Sequence, residues 1–198
     1  MSDKLAVMGH GKGGELALLL GATFPQLSAI VGYAPSGIVW QGIGQPVCSP
    51  WSYHGAPLPF VPLTFNPSIF ATQPVAHEPI YTLKDEAEAE KATIPVEKIR
   101  GAVLLIAGTD DKMWPSSTLS ERVIDRLAAH HFPYPYKYVK YPGAGHMFDC
   151  PYIPATVTHF RDRTTGLVIA VGGTPKDQAR ANVDSWRQVC AFLGEHLT

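Results

Sequence analysis

Leu5-Ala6-Val7-Met8-Gly9-His10-Gly11-Lys12-Gly13-Gly14-Glu15-Leu16-Ala17 is the stretch on which the fold turns. Leu5 to Met8 is a short apolar run closed by glycine, the pattern of a strand buried on both faces. Glu15 to Thr23 follows with five strong helix formers, Leu16 to Leu20, and Pro25 stands where such a helix must already have ended. This segment is apolar nearly all round, which predicts a buried helix. Ser28-Ala29-Ile30-Val31-Gly32-Tyr33 supplies a second apolar strand. Strand, helix, strand is the unit that forces parallel pairing, so the fold class is α/β.

The same alternation continues outward from this unit. Ala102 to Gly108 is the clearest strand in the chain, and Thr118-Leu119-Ser120-Glu121 has the form of a capping box opening a helix with Leu119, Val123, Ile124 and Leu127 on one face. Tyr136 to Tyr141 alternates as a strand does and ends in the turn Pro142-Gly143-Ala144-Gly145 before His146. Thr174 caps a last helix, with Pro175 at its first position and Val183, Trp186, Cys190, Leu193 and Leu197 as the expected buried stripe. The prediction is a mostly parallel sheet of about four strands in the order Leu5, Ser28, Ala102, Tyr136, with helices on both faces. Asp85 to Lys91 reads as a solvated acidic helical face ended by Ile94-Pro95. From Leu16 to His77 no Asp, Glu, Lys or Arg occurs, and 35–79 forms a long apolar and aromatic excursion. Six large aromatics, Trp40, Trp51, Tyr53, Phe60, Phe65 and Phe70, argue for order there, either around a core of its own or as the wall of an apolar site.

Composition sets the limits. A chain of 198 residues with 45% hydrophobic content builds one well-buried domain, expected over 1–198. Sixteen basic against seventeen acidic residues, with no basic run, give no electrostatic footprint for nucleic acid or for an anionic membrane surface. The apolar stretch after Met1-Ser2-Asp3-Lys4 is far too short for a membrane span. Cys48, Cys150 and Cys190 are odd in number and widely spaced, which suggests neither a disulfide framework nor a zinc site and points to a reducing, cytoplasmic location.

Two motifs compete for Gly9 to Gly14. Gly9, Gly11 and Gly14 match G-x-G-x-x-G, in which glycines admit a dinucleotide pyrophosphate to a helix N-terminus. That reading needs an acidic residue about 20 positions on, and no Asp or Glu lies between Glu15 and Glu78. The other reading is the nucleophile elbow G-x-S-x-G, a tight strand-to-helix turn that lifts a serine above the sheet. Gly9-x-Gly11-x-Gly13 fits it except at the centre, where glycine stands at the nucleophile position. The acid and histidine of a triad then follow in the expected chain order: Asp110-Asp111 after the Ala102 strand and His146 after the Tyr136 strand. Of the two acids Asp111 is the expected orienting group, four residues before Pro115, and Asp110 is expected to be capping or solvated. The other histidines show no metal-ligand spacing.

Gly11-Lys12-Gly13-Gly14-Glu15-Leu16-Ala17, Ile94-Pro95-Val96-Glu97, Gly108-Thr109-Asp110-Asp111-Lys112-Met113-Trp114, Gly145-His146, Pro151-Tyr152-Ile153-Pro154 and Val183-Asp184-Ser185-Trp186 together resemble the acyl-CoA thioesterase and bile acid-CoA:amino acid N-acyltransferase family, over nearly the whole chain in one register. The resemblance implies the C-terminal portion of an α/β-hydrolase fold that acts on acyl-CoA with no metal or other cofactor. It implies a nucleophile at the place of Gly11, His146 as base, Asp111 as its orienter and the backbone N–H of Lys12 as an oxyanion donor. It further implies that an N-terminal β-sandwich and the first sheet strands precede Leu5, so the Leu5 strand is expected as a sheet edge covered by a homodimer or a complementary chain. Three functions follow as expectations: a thioester hydrolase disabled or weakened at Gly11, a nucleophile-less acyl-binding or scaffold domain, and a dinucleotide-binding domain on Gly9, Gly11 and Gly14.

Overall fold

A computed structural model describes residues 4–43, 46–149, 151–152 and 154–198. Readings that involve residues 1–3, Cys150 and Ile153 lie outside the described residues. Four parallel strands form the central sheet: β1 (Leu5–His10), β2 (Leu27–Tyr33), β5 (Ala102–Gly108) and β6 (Tyr136–Tyr141), in the order β1-β2-β5-β6. Helices α1 (Lys12–Thr23), α2 (Glu86–Ala92), α3 (Ser116–Ala129) and α4 (Pro175–His196) surround it. Two short antiparallel ribbons complete the fold, β3 (Ser52–Tyr53) with β4 (Ala56–Pro57) and β7 (His159–Arg161) with β8 (Val168–Ala170).

Period-two alternation in β5 shows why the sheet is covered on both sides. Val103 and Leu105 pack with Leu18, Ile30, Val123 and Leu127 under α1 and α3. Leu104 and Ile106 pack with Val31, Tyr33, Val189 and Phe192 under α4. A strand buried on both faces must read as a continuous apolar run, as Ala102 to Ala107 does. A third cluster joins the excursion to the body: Ile38, Trp40 and Val61 close over Ala89, Ala92, Trp114 and Leu119. No helix of the described residues is long and apolar enough to cross a membrane.

Four local readings are corrected. Strand β1 is not buried on both faces: Leu5 is 54% and Met8 49% exposed, because β1 stands at the sheet edge with α1 over one side only. Helix α1 is less enclosed than its apolar content suggests, with Leu16, Leu19 and Leu20 half-buried while Gly14, Glu15, Ala17, Leu18 and Gly21 face the interior. Helix α3 begins at Ser116, so Thr118 lies inside its first turn and caps nothing. The chain enters that helix straight from the Asp111 turn, and Ser116 spends its hydroxyl on Asp111. In α4, Thr174 does cap the helix, accepting from the Asp177 N–H. The buried arc of this helix, however, is Gln178, Ala181, Asn182, Ser185, Val189 and Phe192, and Val183 and Cys190 are exposed. Small residues at Ala181 and Ser185 let the helix approach the sheet, where the Tyr33 hydroxyl donates to the Ser185 hydroxyl at 3.3 Å. Leu193 and Leu197 of the expected stripe do pack against the core, so hydrophobicity alone finds only part of the arc.

Candidate active site

The turn between β1 and α1 has elbow geometry. Gly11 has φ 55° and ψ −120°, outside the range that side-chain-bearing residues hold without strain. Its N–H donates to the Tyr33 carbonyl at 2.9 Å and its carbonyl accepts the Glu15 N–H at 3.0 Å. The glycine frame is steric. A β-carbon on Gly9 would stand 1.9 Å from the Gly13 carbonyl oxygen, and one on Gly14 would stand 2.9 Å from that of Tyr33. Gly13 itself meets nothing within 4 Å, so the demand falls on Gly9 and Gly14. Gly9, Gly11 and Gly14 are thus all accounted for by the elbow.

Asp111 and His146 stand beside this turn. Asp111 is buried, and Oδ1 accepts the N–H groups of Met113 (2.9 Å) and Trp114 (3.3 Å), while Oδ2 accepts the Ser116 hydroxyl at 2.6 Å. His146 Nδ1 lies 2.8 Å from the same Oδ2. A carboxylate only accepts, so Nδ1 carries the proton and Nε2 presents a lone pair. That lone pair faces Gly11: a β-carbon there would lie 3.0 Å from Nε2. The loops bearing the two residues are tied by the chain beyond β8, where the Val171 carbonyl accepts the N–H of His146 (2.8 Å) and of Lys112 (3.4 Å). Asp110 is set apart from the pair. It accepts the Gly173 N–H at 2.9 Å and pairs with Lys112 at 2.8 Å, a bracing role at the surface.

Sequence reading missed three groups around this pair. His10 donates from Nε2 to the His146 carbonyl at 2.8 Å, its ring is tilted over that of His146 at 4.6 Å, and its Nδ1 is 3.9 Å from Asp149. Glu15 is fully buried and binds Lys12 Nζ (2.6 Å), Trp51 Nε1 (2.7 Å) and the Trp40 N–H (3.3 Å), while Lys12 Nζ also donates to the Trp40 carbonyl at 2.7 Å. Burial pushes the Glu15 carboxyl up and the Lys12 ammonium down. The third group is an aromatic wall: Trp114 meets His146 edge-on at 6.3 Å, Tyr81 meets Trp114 at 5.6 Å, and Trp40 meets Tyr81 at 5.3 Å. Burial, with Glu15 and Asp111 nearby, holds the Tyr81 phenol protonated, its pKa pushed up to about 12. The one available signal was that Lys12 and Glu15 are the last charges before a long uncharged segment.

His10 gives a pH prediction. Burial, and then the neighbouring His146, lower its folded pKa; Asp149, Asp111 and the His146 carbonyl oppose that shift without reversing it. The unfolded chain therefore takes up the proton first, so this stability is complete above the unfolded imidazole value and is lost as pH falls through the folded one. His77, also lowered by burial, acts in the same direction. Melting temperature is expected to drop on acidification from about pH 7 to about pH 5. His10→Gln, which retains a donor for the His146 carbonyl, should flatten that slope, and an unchanged slope would show that His10 does not titrate with folding.

A parallel sheet whose first strand runs through a strained turn into a helix, with an acid and a histidine on loops beyond later strands at the same sheet edge, defines the α/β-hydrolase class. The comparisons agree. A puromycin-hydrolysing peptidase from Mycobacterium tuberculosis superposes with TM-score 0.53 at 19% identity, over 100% of this chain and 22% of the peptidase, a likeness of fold alone. The family profile described as BAAT / acyl-CoA thioester hydrolase C terminal matches residues 1–198, and the chain belongs to that family. Human acyl-coenzyme A thioesterase 1 is 30% identical over 195 residues, 98% of this chain and 44% of the relative. Mouse mitochondrial acyl-coenzyme A thioesterase 2 is 30% identical over 193 residues, 98% of this chain and 40% of the relative. Mouse peroxisomal succinyl-coenzyme A thioesterase is 38% identical over 104 residues, 52% of this chain and 24% of the relative. The chain therefore spans less than half the length of these relatives.

Proposed function

We propose that this chain carries the catalytic centre of an acyl-CoA thioester hydrolase, transferring an acyl group from coenzyme A to water, with glycine at its nucleophile position. The observation that carries the reading is His146, whose Nδ1 is held by Asp111 at 2.8 Å while Nε2 faces the elbow residue Gly11. His146 is the base that later returns a proton to the thiolate, Asp111 fixes its tautomer, and the Lys12 N–H at the start of α1 receives the oxyanion. The aromatic excursion over 35–79, with exposed Ile43, Val47, Phe65 and Phe70, supports a role as the apolar wall for the acyl chain. Release of free thiol from butyryl-CoA and lauroyl-CoA tests the assignment. With serine placed at position 11, Asp111→Asn is expected to cut turnover by about ten-thousandfold, and a loss below about tenfold contradicts it. Gly11 favours a second reading, a scaffold that binds acyl-CoA without turnover; saturable quenching of tryptophan fluorescence by lauroyl-CoA with no thiol release in either form would select it.

Residues 1–198 are taken as a single hydrolase domain, and the cytoplasm as its location. The free thiols of Cys48 and Cys190 support a reducing compartment, while relatives named for peroxisome and mitochondrion make fractionation the test. The half-exposed apolar edge of β1 supports a homodimer or a complementary chain that covers it. Light scattering should give a mass above that of one chain, and a monomer at high concentration would refute the pairing.

A further inference from the structure

We propose that the His146–Asp111 pair acts directly on a water molecule seated against the bare Cα of Gly11, so that this chain hydrolyses thioesters without forming a covalent acyl-enzyme. The inference rests on the thioesterase reading and departs from the triad route.

Three observations converge on it. The proton on Nδ1 is fixed by Asp111, which is itself held by two backbone N–H groups and the Ser116 hydroxyl, so the lone pair on Nε2 is permanently aimed at the elbow. A β-carbon at Gly11 would already stand 3.0 Å from Nε2 and 3.3 Å from Cε1. Three ångströms is the separation at which an imidazole nitrogen holds a hydrogen-bonded oxygen, and with no side chain on residue 11 the space in front of Nε2 is open to one. In this chain the oxygen that the imidazole can hold there is that of a water molecule. Because Nε2 and the Gly11 Cα are separated by no more than that contact plus one carbon–carbon bond, a single water can touch both. Finally, Gly11 is the cap of the twelve-residue helix α1, and the Lys12 N–H is among the first-turn donors that no carbonyl within the helix can satisfy. It stands beside the place where a thioester carbonyl would develop negative charge, at the positive end of the helix.

The step balances without any group beyond water and substrate. The water oxygen attacks the thioester carbonyl carbon as one of its protons passes to His146 Nε2, and the carbonyl electron pair moves onto oxygen, facing the Lys12 N–H. Collapse of the tetrahedral intermediate breaks the carbon–sulfur bond. The leaving thiolate takes the proton from the imidazolium, giving a carboxylic acid and free coenzyme A thiol. A thiol ionises near pH 8.5, so its departure asks little of the protein. This is why a thioester, rather than an ester or an amide, is the substrate class such a site can serve.

The test compares the chain as it stands with His146→Gln, Gly11→Ala and Gly11→Ser, using butyryl-CoA and lauroyl-CoA, with circular dichroism to verify that each is folded. Thiol release by the unaltered chain is expected to exceed that of His146→Gln and of Gly11→Ala by roughly a hundredfold, the low end of general-base catalysis. Gly11→Ala is the sharper control, because its methyl group fills the place of the water and leaves His146 and Asp111 present. Intact-protein mass should show no acyl adduct on the unaltered chain at any time, and a fluorophosphonate should not inhibit it. An acyl adduct on the unaltered chain, or a rate no greater than that of both variants while Gly11→Ser becomes acylated, overturns the direct-water route and leaves the thioesterase reading standing. If Gly11→Ser neither becomes acylated nor releases thiol, the thioesterase reading falls and this inference falls with it.

Discussion

Glu15→Ala is expected to lower the unfolding free energy by about 3–5 kcal/mol, the cost of leaving a buried charge network without its acceptor. The carboxylate is fully buried and takes three donors, Lys12 Nζ, Trp51 Nε1 and the Trp40 N–H. Removing it leaves the Lys12 ammonium with the Trp40 carbonyl but no counter-charge, strands two N–H groups and leaves a void under the excursion. The damage should not remain local, since Trp40 packs against Tyr81 and Tyr81 against Trp114, which borders His146. The double variant Lys12→Met with Glu15→Leu, which removes both charges and restores volume, is expected to recover most of the loss. Urea denaturation provides the measurement. A Glu15→Ala midpoint indistinguishable from that of the parent chain would mean that the brace between α1 and the excursion contributes nothing.

Gly11→Ser is expected to separate stability from chemistry. With φ at 55° and ψ at −120° a side chain at this position costs about 1–3 kcal/mol, and its β-carbon, 3.0 Å from His146 Nε2, requires the ring to give by a few tenths of an ångström. Thermal stability should therefore fall. Acyl transfer should rise, because loss of a triad nucleophile costs on the order of a millionfold where it has been measured. Oxyanion stabilisation sets how much of that gain is realised, each donor being worth about a hundredfold or more. A serine variant that turns over no faster than the glycine chain and carries no acyl group at position 11 would remove residue 11 from the nucleophile position.

The fold was largely legible because its decisive signals are local. The apolar runs of β2 and β5 and the glycine turn between β1 and α1 each follow from backbone sterics and burial, and the order of the parallel strands follows from short connections. Asp111 and His146 were legible because hydrolase loops hold them at chain positions that sequence order preserves, and the structure places them 2.8 Å apart. What was not legible depends on distance along the chain. Glu15 reaches Trp51, 36 residues away, and His10 reaches the His146 carbonyl across 136 residues; no periodicity encodes either contact. The start of α3 and part of the buried arc of α4 were misread for a different reason. Ser116 serves Asp111 at the start of α3, and small or polar residues, Ala181 and Ser185, allow the close approach of α4, so tertiary demand overrides local pattern in both.

Gly11 is proposed to occupy the nucleophile position of an acyl-CoA hydrolase, served by His146. The most direct measurement is peptide mapping by mass spectrometry of the Gly11→Ser chain after brief exposure to lauroyl-CoA, beside the same chain carrying His146→Gln. The expected result is one lauroyl group on the peptide that contains position 11, formed only when His146 is present. Thiol release with no adduct on that peptide, or an adduct that forms equally well without His146, would contradict it.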